Sequence, residues 1–401
     1  MTSRWPILVL VTLAHGLGAL TALAVAPLAP FLLESLALSR VQVGLFLPAV
    51  YLGGALMALP AGWLTDRLGV RLALGLGQLL VGAMITLAAL SPNLVWLLTL
   101  LVLGGFGFSA LNPATGKAVV EWFPPRERGM AMGVKQMGLT LGALVAALAL
   151  PLIATTLGWR AAILACGVVV AMPVLAAWPV LAPFEAAVAH TGARQRRHAA
   201  DWAWARRPAV LVFFGGGLLL GMVQAAVLSY LPLYCVQALG FDKIGAGFLV
   251  ACSQAGGAAS RLVLGAASDR WLTGRRSVWL ALTSVLAVAI FAVYAAWSVA
   301  WAPAAGALAF VAGVGAYGWV GIFFVISAEV GGSRQAGLLS GMAFASIVMG
   351  LLIGPTVFGL LLVSADSYRA AWAAFAGIAT LVTLTALLAG PAIDRESARP
   401  R

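Results

Sequence analysis

Twelve long apolar runs, parted by little more than a turn each, leave this chain a single place to fold. A helix that crosses a bilayer needs about 20 apolar residues, and in hydrocarbon its backbone N–H and C=O groups must pair within the segment. The runs lie at 5–34, 41–64, 72–91, 94–121, 129–157, 160–183, 208–238, 242–267, 277–299, 302–328, 337–364 and 367–390. Only 9% of the residues are charged and the mean hydropathy is +1.04, whereas soluble domains carry about 25% charged residues. No separate soluble domain fits. The chain reads as an all-α membrane protein of twelve transmembrane helices. The first run is too long for the core of a signal peptide and lacks a small-residue cleavage site, so it is predicted to be the first span.

The net charge of +12 is distributed by side of the membrane. Of the 24 Lys and Arg, 17 fall in the N-terminal, even-numbered and C-terminal loops, and 4 (Arg40, Arg160, Lys243, Arg369) on the opposite side. The remaining 3, Lys117, Lys135 and Arg261, lie inside spans. This bias follows the positive-inside rule and predicts a multi-pass protein of a bacterial inner membrane with both termini cytoplasmic. The arginines of the polar segment between the sixth and seventh runs are expected at anionic headgroups, and no nucleic-acid partner is implied. Cys166, Cys235 and Cys252 all sit in apolar runs without metal-ligand spacing, which argues against a disulfide framework, zinc site or iron–sulfur cluster. No metal and no cofactor is expected.

The chain repeats itself. A shift of 203 aligns Gly44 with Gly247, Gly62 with Gly265, Asp66 with Asp269 and Arg67 with Arg270. A shift of 208 aligns Glu121 with Glu329, Arg126 with Arg334, Gly129 with Gly337, Gly133 with Gly341 and Gly142 with Gly350. Two pseudo-symmetric six-helix bundles of the same topology follow, at 1–183 and 208–390, joined by a basic cytoplasmic linker at 184–207 and ending in a cytoplasmic tail at 391–401. A parallel repeat of this kind places a substrate site at the repeat interface near the bilayer midplane.

Between the second and third runs stands Gly62-Trp-Leu-Thr-Asp-Arg-Leu-Gly-Val-Arg71, with a counterpart from Gly265 to Arg276 between the eighth and ninth. This resembles the signature loop of the major facilitator superfamily, roughly Gly-x-Leu-Ala-Asp-Arg-x-Gly-Arg-Lys, with Val70 where the family often has Arg. The resemblance covers the whole chain. It implies secondary active transport by alternating access, commonly by a monomer. It also implies a gating group of Asp66, Arg67, Arg71, Asp269, Arg270, Glu121 and Arg128. An Asp at such a turn can accept hydrogen bonds from the first amides of a neighbouring helix and pair with arginines. The competing reading is a turn that only caps helices and orients the protein. The Gly-Pro motif that drug exporters of the superfamily carry in span five is absent here, and Gly354-Pro355 lies in span eleven instead. Arg261 resembles the span-eight arginine of monocarboxylate and oxalate/formate carriers, although Gly257 stands where monocarboxylate carriers have an acid.

All twelve acidic residues fall at span ends or in loops, so the interior of the spans is net positive and would attract an anion. A charge near the bilayer centre is costly and marks a functional candidate. Lys135 shares a helical stripe with Ala131, Gly138, Gly142, Ala146 and Ala149, the small residues of a protein-facing side. Its competing reading is a lysine that snorkels to the cytoplasmic end. Arg261 shares a face with Gln254, Gly257 and Gly265, and its guanidinium suits a carboxylate; its competing partner is Asp269. Lys117 is expected to pair with Glu121 four residues on. The predicted substrate set is Lys135, Arg261, Gln136, His15, Asn112, Gln254, Tyr230 and Tyr317, with Ser109, Gln224 and Trp319 as further candidates. His15 is the one deep group that titrates near neutral pH and either carries a proton or bonds a neighbouring helix.

The sequence thus predicts a carrier for a small organic anion, with proton coupling open. The main alternative is drug or metabolite efflux by proton antiport. A sensor without transport is a third reading. A membrane enzyme is disfavoured because no nucleophile–base pair, His-rich metal set or Gly-rich phosphate loop is present.

Overall fold

The computed structural model describes residues 5–22, 46–191, 206–241, 243–271, 274–296 and 301–398, with Trp204 and scattered residues between 24 and 45. Residues 192–203 of the expected linker and 399–401 of the expected tail lie outside the described residues, as does part of the first expected span beyond residue 22. The chain is all-α. Helix α1 is Trp5–Ala22, α2 Phe46–Leu68, α3 Val70–Ala88 and α4 Leu94–Trp122. The run Arg128–Thr191 is broken at Gly158 (φ +83°) into α5 (128–157) and α6 (159–191). Then come α7 Pro208–Gln237, α8 Lys243–Arg270, α9 Ser277–Ala296, α10 Ala302–Gly332, α11 Arg334–Ala365 and α12 Tyr368–Ser397. Among the described residues nine helices are long and apolar enough to cross a membrane.

The turns are shorter than the sequence suggests. Gly69, at φ +83°, makes the whole turn between α2 and α3, so Asp66 and Arg67 stand in the last turn of a helix. Glycine alone adopts that conformation without strain. Asp269 and Arg270 likewise end α8. Helix α6 runs to Thr191, past residue 184, and α12 runs to Ser397. Pro183 and the Gly390-Pro391 pair stand where hydropathy falls, and each helix runs on past them.

The chain divides into two compact units. Unit 1 comprises residues 1–124, 134–201 and 327–345; unit 2 comprises 125–133, 202–326 and 346–401. Each unit is one repeat plus the short helix start that belongs in sequence to the other. In unit 1, α2 and α3 pack on α4, and α1 packs on α3 and α4. In unit 2, α8 and α9 pack on α10, while α7 and α9 pack on α12.

Matched glycines set these contacts. A Cβ on Gly53 would sit 1.9 Å from the Val102 carbonyl oxygen, and one on Gly105 would sit 2.2 Å from that of Val50. In unit 2, Gly256 would meet the Phe310 oxygen at 2.0 Å and Gly313 the Ser253 oxygen at 1.7 Å. These positions differ by the same 203 and 208 that relate the two sequences. Without a hydrophobic driving force between helices in lipid, such backbone-to-backbone approach supplies the packing. Unit 2 adds an aromatic cluster in which Trp372 lies within 6 Å of Tyr234, Phe291, Tyr294 and Phe358, measured between ring centroids.

Candidate substrate site

In unit 1 the small-residue stripe of α5 lies against α1. A Cβ on Gly138 would meet the Thr12 oxygen at 2.3 Å, and one on Gly142 the Gly16 oxygen at 1.9 Å. That approach turns the stripe inward, and Lys135 and Ala146 are buried. Lys135 is 0% exposed. Its ammonium donates to the side-chain oxygen of Asn112 on α4 at 3.1 Å. Gln136 and Ser109 are buried as well, as is His15 on α1. The Gln78 amide, on α3, donates to the Ala14 carbonyl beside His15. Gln78 lies outside the expected site residues, although the sequence shows it as a lone amide within the apolar run LALGLGQLLVG.

In unit 2, Arg261 is 8% exposed and its Nε donates to the Tyr317 carbonyl oxygen at 3.4 Å. The Tyr317 ring fills the notch left by Gly257, where a Cβ would lie 2.6 Å from a ring carbon. An acid at residue 257 would therefore collide with that ring. Gln254 and Gln224 are half-buried, and the Gln224 amide oxygen has no hydrogen-bond partner among the described residues. Tyr230 is set differently. Its hydroxyl donates to the Pro355 carbonyl at 3.0 Å and its ring stacks on Phe358 at 4.3 Å. The Trp319 indole is fully buried and donates to the Ala316 oxygen.

Each unit also carries a latch at one helix end. In unit 1 the two oxygens of Asp66 accept from the amides of Gly337 and Leu338, at 2.9 and 2.7 Å. These amides lie near the N-terminal end of α11, where a carboxylate is stabilised by the helix dipole. Lys117 adds an ion pair to Asp66 at 3.0 Å and lies 3.8 Å from Glu121. The expected Lys117–Glu121 pair therefore exists, but Asp66 is the nearer partner. In unit 2, Asp269 accepts from the amides of Gly129 and Met130, at 2.8 and 2.7 Å, and pairs with Arg276 at 2.9 Å. Arg276 also reaches the Ser268 hydroxyl and the Pro125 carbonyl. The acid considered for Arg261 is thus held by Arg276 and two amides. Arg67 is exposed and lies over the ring of Trp63 at 4.3 Å, Arg270 is exposed, and Arg71 and Arg128 are half-buried.

A family model described as Major Facilitator Superfamily matches residues 9–344. The chain belongs to the major facilitator superfamily. Its family is one of membrane transporters, not of enzymes. This major facilitator chain is 31% identical, over 52% of its length and 46% of the other's, to an uncharacterised MFS-type transporter of Mycobacterium tuberculosis. It thus spans about half the length of that relative. It is 28% identical to a protein named as a probable L-galactonate transporter of Escherichia coli, over 60% of this chain and 55% of that one. A probable sulfoacetate transporter of Cupriavidus necator aligns at 24% identity over 92% of this chain and 90% of its own length. The solved Escherichia coli fucose:proton symporter FucP shares the fold, with a TM-score of 0.69 at 18% identity, covering 96% of this chain and 99% of the symporter.

Proposed function

We propose that this chain is a secondary active transporter for a small organic anion, a carboxylate, of a bacterial inner membrane. The observation that carries the reading is Lys135: a lysine wholly buried in the bundle, its ammonium held by the neutral amide of Asn112 at 3.1 Å. Burying a cation is costly, and a carboxylate that reaches it gains more than it would in water. Gln136 and Asn112 supply further polar contacts in unit 1. Arg261 supplies a second cation in unit 2, where its fork suits a carboxylate. The names of two relatives, an L-galactonate and a sulfoacetate transporter, support the anionic substrate class.

In this reading the Asp66 and Asp269 latches are the conformational elements, since each joins a helix end of one repeat to a helix start of the other and can open as a unit. Transport proceeds by alternating access, with both termini in the cytoplasm. The test is uptake of labelled small carboxylates into proteoliposomes, with and without an imposed pH gradient. Lys135→Ala and Arg261→Ala each should abolish uptake, and thermal unfolding in detergent should show that both variants remain folded. Normal uptake by both variants overturns the proposal. Stabilisation by hydrophobic cations instead of carboxylates would assign the chain to efflux.

A further inference from the structure

Unit 2 carries a groove that the transport reading does not use. It runs between α7, α9, α10 and α12 and is lined by Phe213, Gly216, Leu220, Leu280, Phe323 and Ala389 among others. Two hydroxyls line it, and both are spent. Ser277 donates to the Asp394 carboxylate, and Thr385 donates to the Val382 carbonyl. The groove offers its occupant no free hydrogen-bond donor, so the part that fills it is hydrocarbon.

Its one charged end has the opposite character. Ser277 opens α9 directly after Arg275 and Arg276, and the Asp394 carboxylate that caps α9 lies within electrostatic range of both. At the same helix ends stand Arg206, Arg207 and Arg395, of which Arg207 pairs with Glu396. Three acids stand among these five arginines, Asp394, Glu396 and, through Arg276, Asp269, and Arg206, Arg275 and Arg395 are exposed. An apolar slot capped by exposed arginines complements an acyl chain that ends in a negative headgroup.

We propose that this groove binds an anionic phospholipid, one acyl chain lying along Gly216 and Phe323 and the phosphate meeting Arg275 and its neighbours. Gly216 is what keeps the slot open. A Cβ there would meet only the Thr385 hydroxyl, at 3.5 Å, an ordinary contact. Leucine at this position therefore fits the helix and places its bulk in the groove, and it raises helix propensity.

The test uses the full chain purified in detergent and presented with phosphatidylglycerol or phosphatidylcholine of identical acyl chains. Native mass spectrometry should show phosphatidylglycerol retained about tenfold over phosphatidylcholine, given the gain expected for each arginine near an anionic headgroup. Gly216→Leu should remove the retained lipid, and Arg275→Gln with Arg395→Gln should remove the preference between headgroups. Should Gly216→Leu not fold, the double arginine variant still decides. Inorganic phosphate should neither compete nor stabilise. Equal retention of the two lipids, or a preference untouched by either variant, overturns the proposal.

Discussion

The two latches use one plan with different parts. In unit 1, Gly54, Ala58, Gly62 and Asp66 follow one another at every fourth residue of α2, and each meets the start of α11: Phe344, Gly341, Gly337 and the amides of Gly337 and Leu338. In unit 2, Gly257, Arg261, Gly265 and Asp269 occupy the matching rungs of α8. The last three meet Gly133, Gly129 and the amides of Gly129 and Met130, while Gly257 takes the ring of Tyr317. The rungs that only close the helices are preserved as glycine and aspartate. The rung at Ala58 and Arg261 is not, and neither is the α5/α11 position that holds Lys135 in one repeat and Ala343 in the other. Each repeat therefore keeps the symmetric closing device and departs from symmetry where it places its buried cation. That is the pattern expected when gating is shared by both halves and substrate recognition is not.

The largest test of the comparison is the carboxylate rung. Asp269 and Arg276 have side chains 4% and 5% exposed, against 11% for Asp66 beside Lys117. Removing one member of a buried pair costs about 3–5 kcal/mol. Asp269→Ala should approach that range in thermal unfolding. Asp66→Ala should cost less, because Lys117 retains Glu121 at 3.8 Å. Equal losses would mean that the second acid of unit 1 contributes nothing.

Next in size is the glycine rung, where the latches should behave alike. A Cβ on Gly62 would stand 2.5 Å from the Gly337 oxygen, and one on Gly265 2.5 Å from the Gly129 oxygen. Backbone cannot yield as a side chain does, so Gly62→Val and Gly265→Val should each destabilise by about 1–3 kcal/mol, the usual cost of overpacking. A tolerant Gly265 beside an intolerant Gly62 would show that the α8 latch is open much of the time.

How far the sequence reveals these devices depends on the range of the contact. The spans follow from hydropathy, and the repeat follows from glycines and aspartates spaced by 203 and 208, because both are periodic signals. The inward face of α5 follows from its small-residue stripe, since close approach in lipid requires small side chains. The nearer partner of Lys117, and the partners of Asp269, do not follow. Asp66 lies 51 residues before Lys117 and reaches it only because the end of α2 packs across α4. Arg276, just before α9, captures Asp269, whereas helical periodicity points only along α8 toward Arg261. Tyr230 shows the same limit: an aromatic in a span reads equally as cavity wall or as packing, and its stack on Phe358 is visible only in three dimensions.

The smallest effect tests the local rule that sequence reasoning relies on. Glu121 lies four residues after Lys117 on α4, at 3.8 Å, with its side chain 14% exposed. An (i, i+4) pair of this kind contributes about 0.2–0.5 kcal/mol on a helix surface. Glu121→Gln alone should therefore lower stability by no more than about 0.5 kcal/mol, with Asp66 holding Lys117. In the Asp66→Ala background the same substitution should cost more, because Glu121 is then the acid that remains beside a buried ammonium. A double-mutant cycle reads this as a non-additive term. Simple additivity would show that Lys117 finds compensation elsewhere, and that the two acids of this latch act independently.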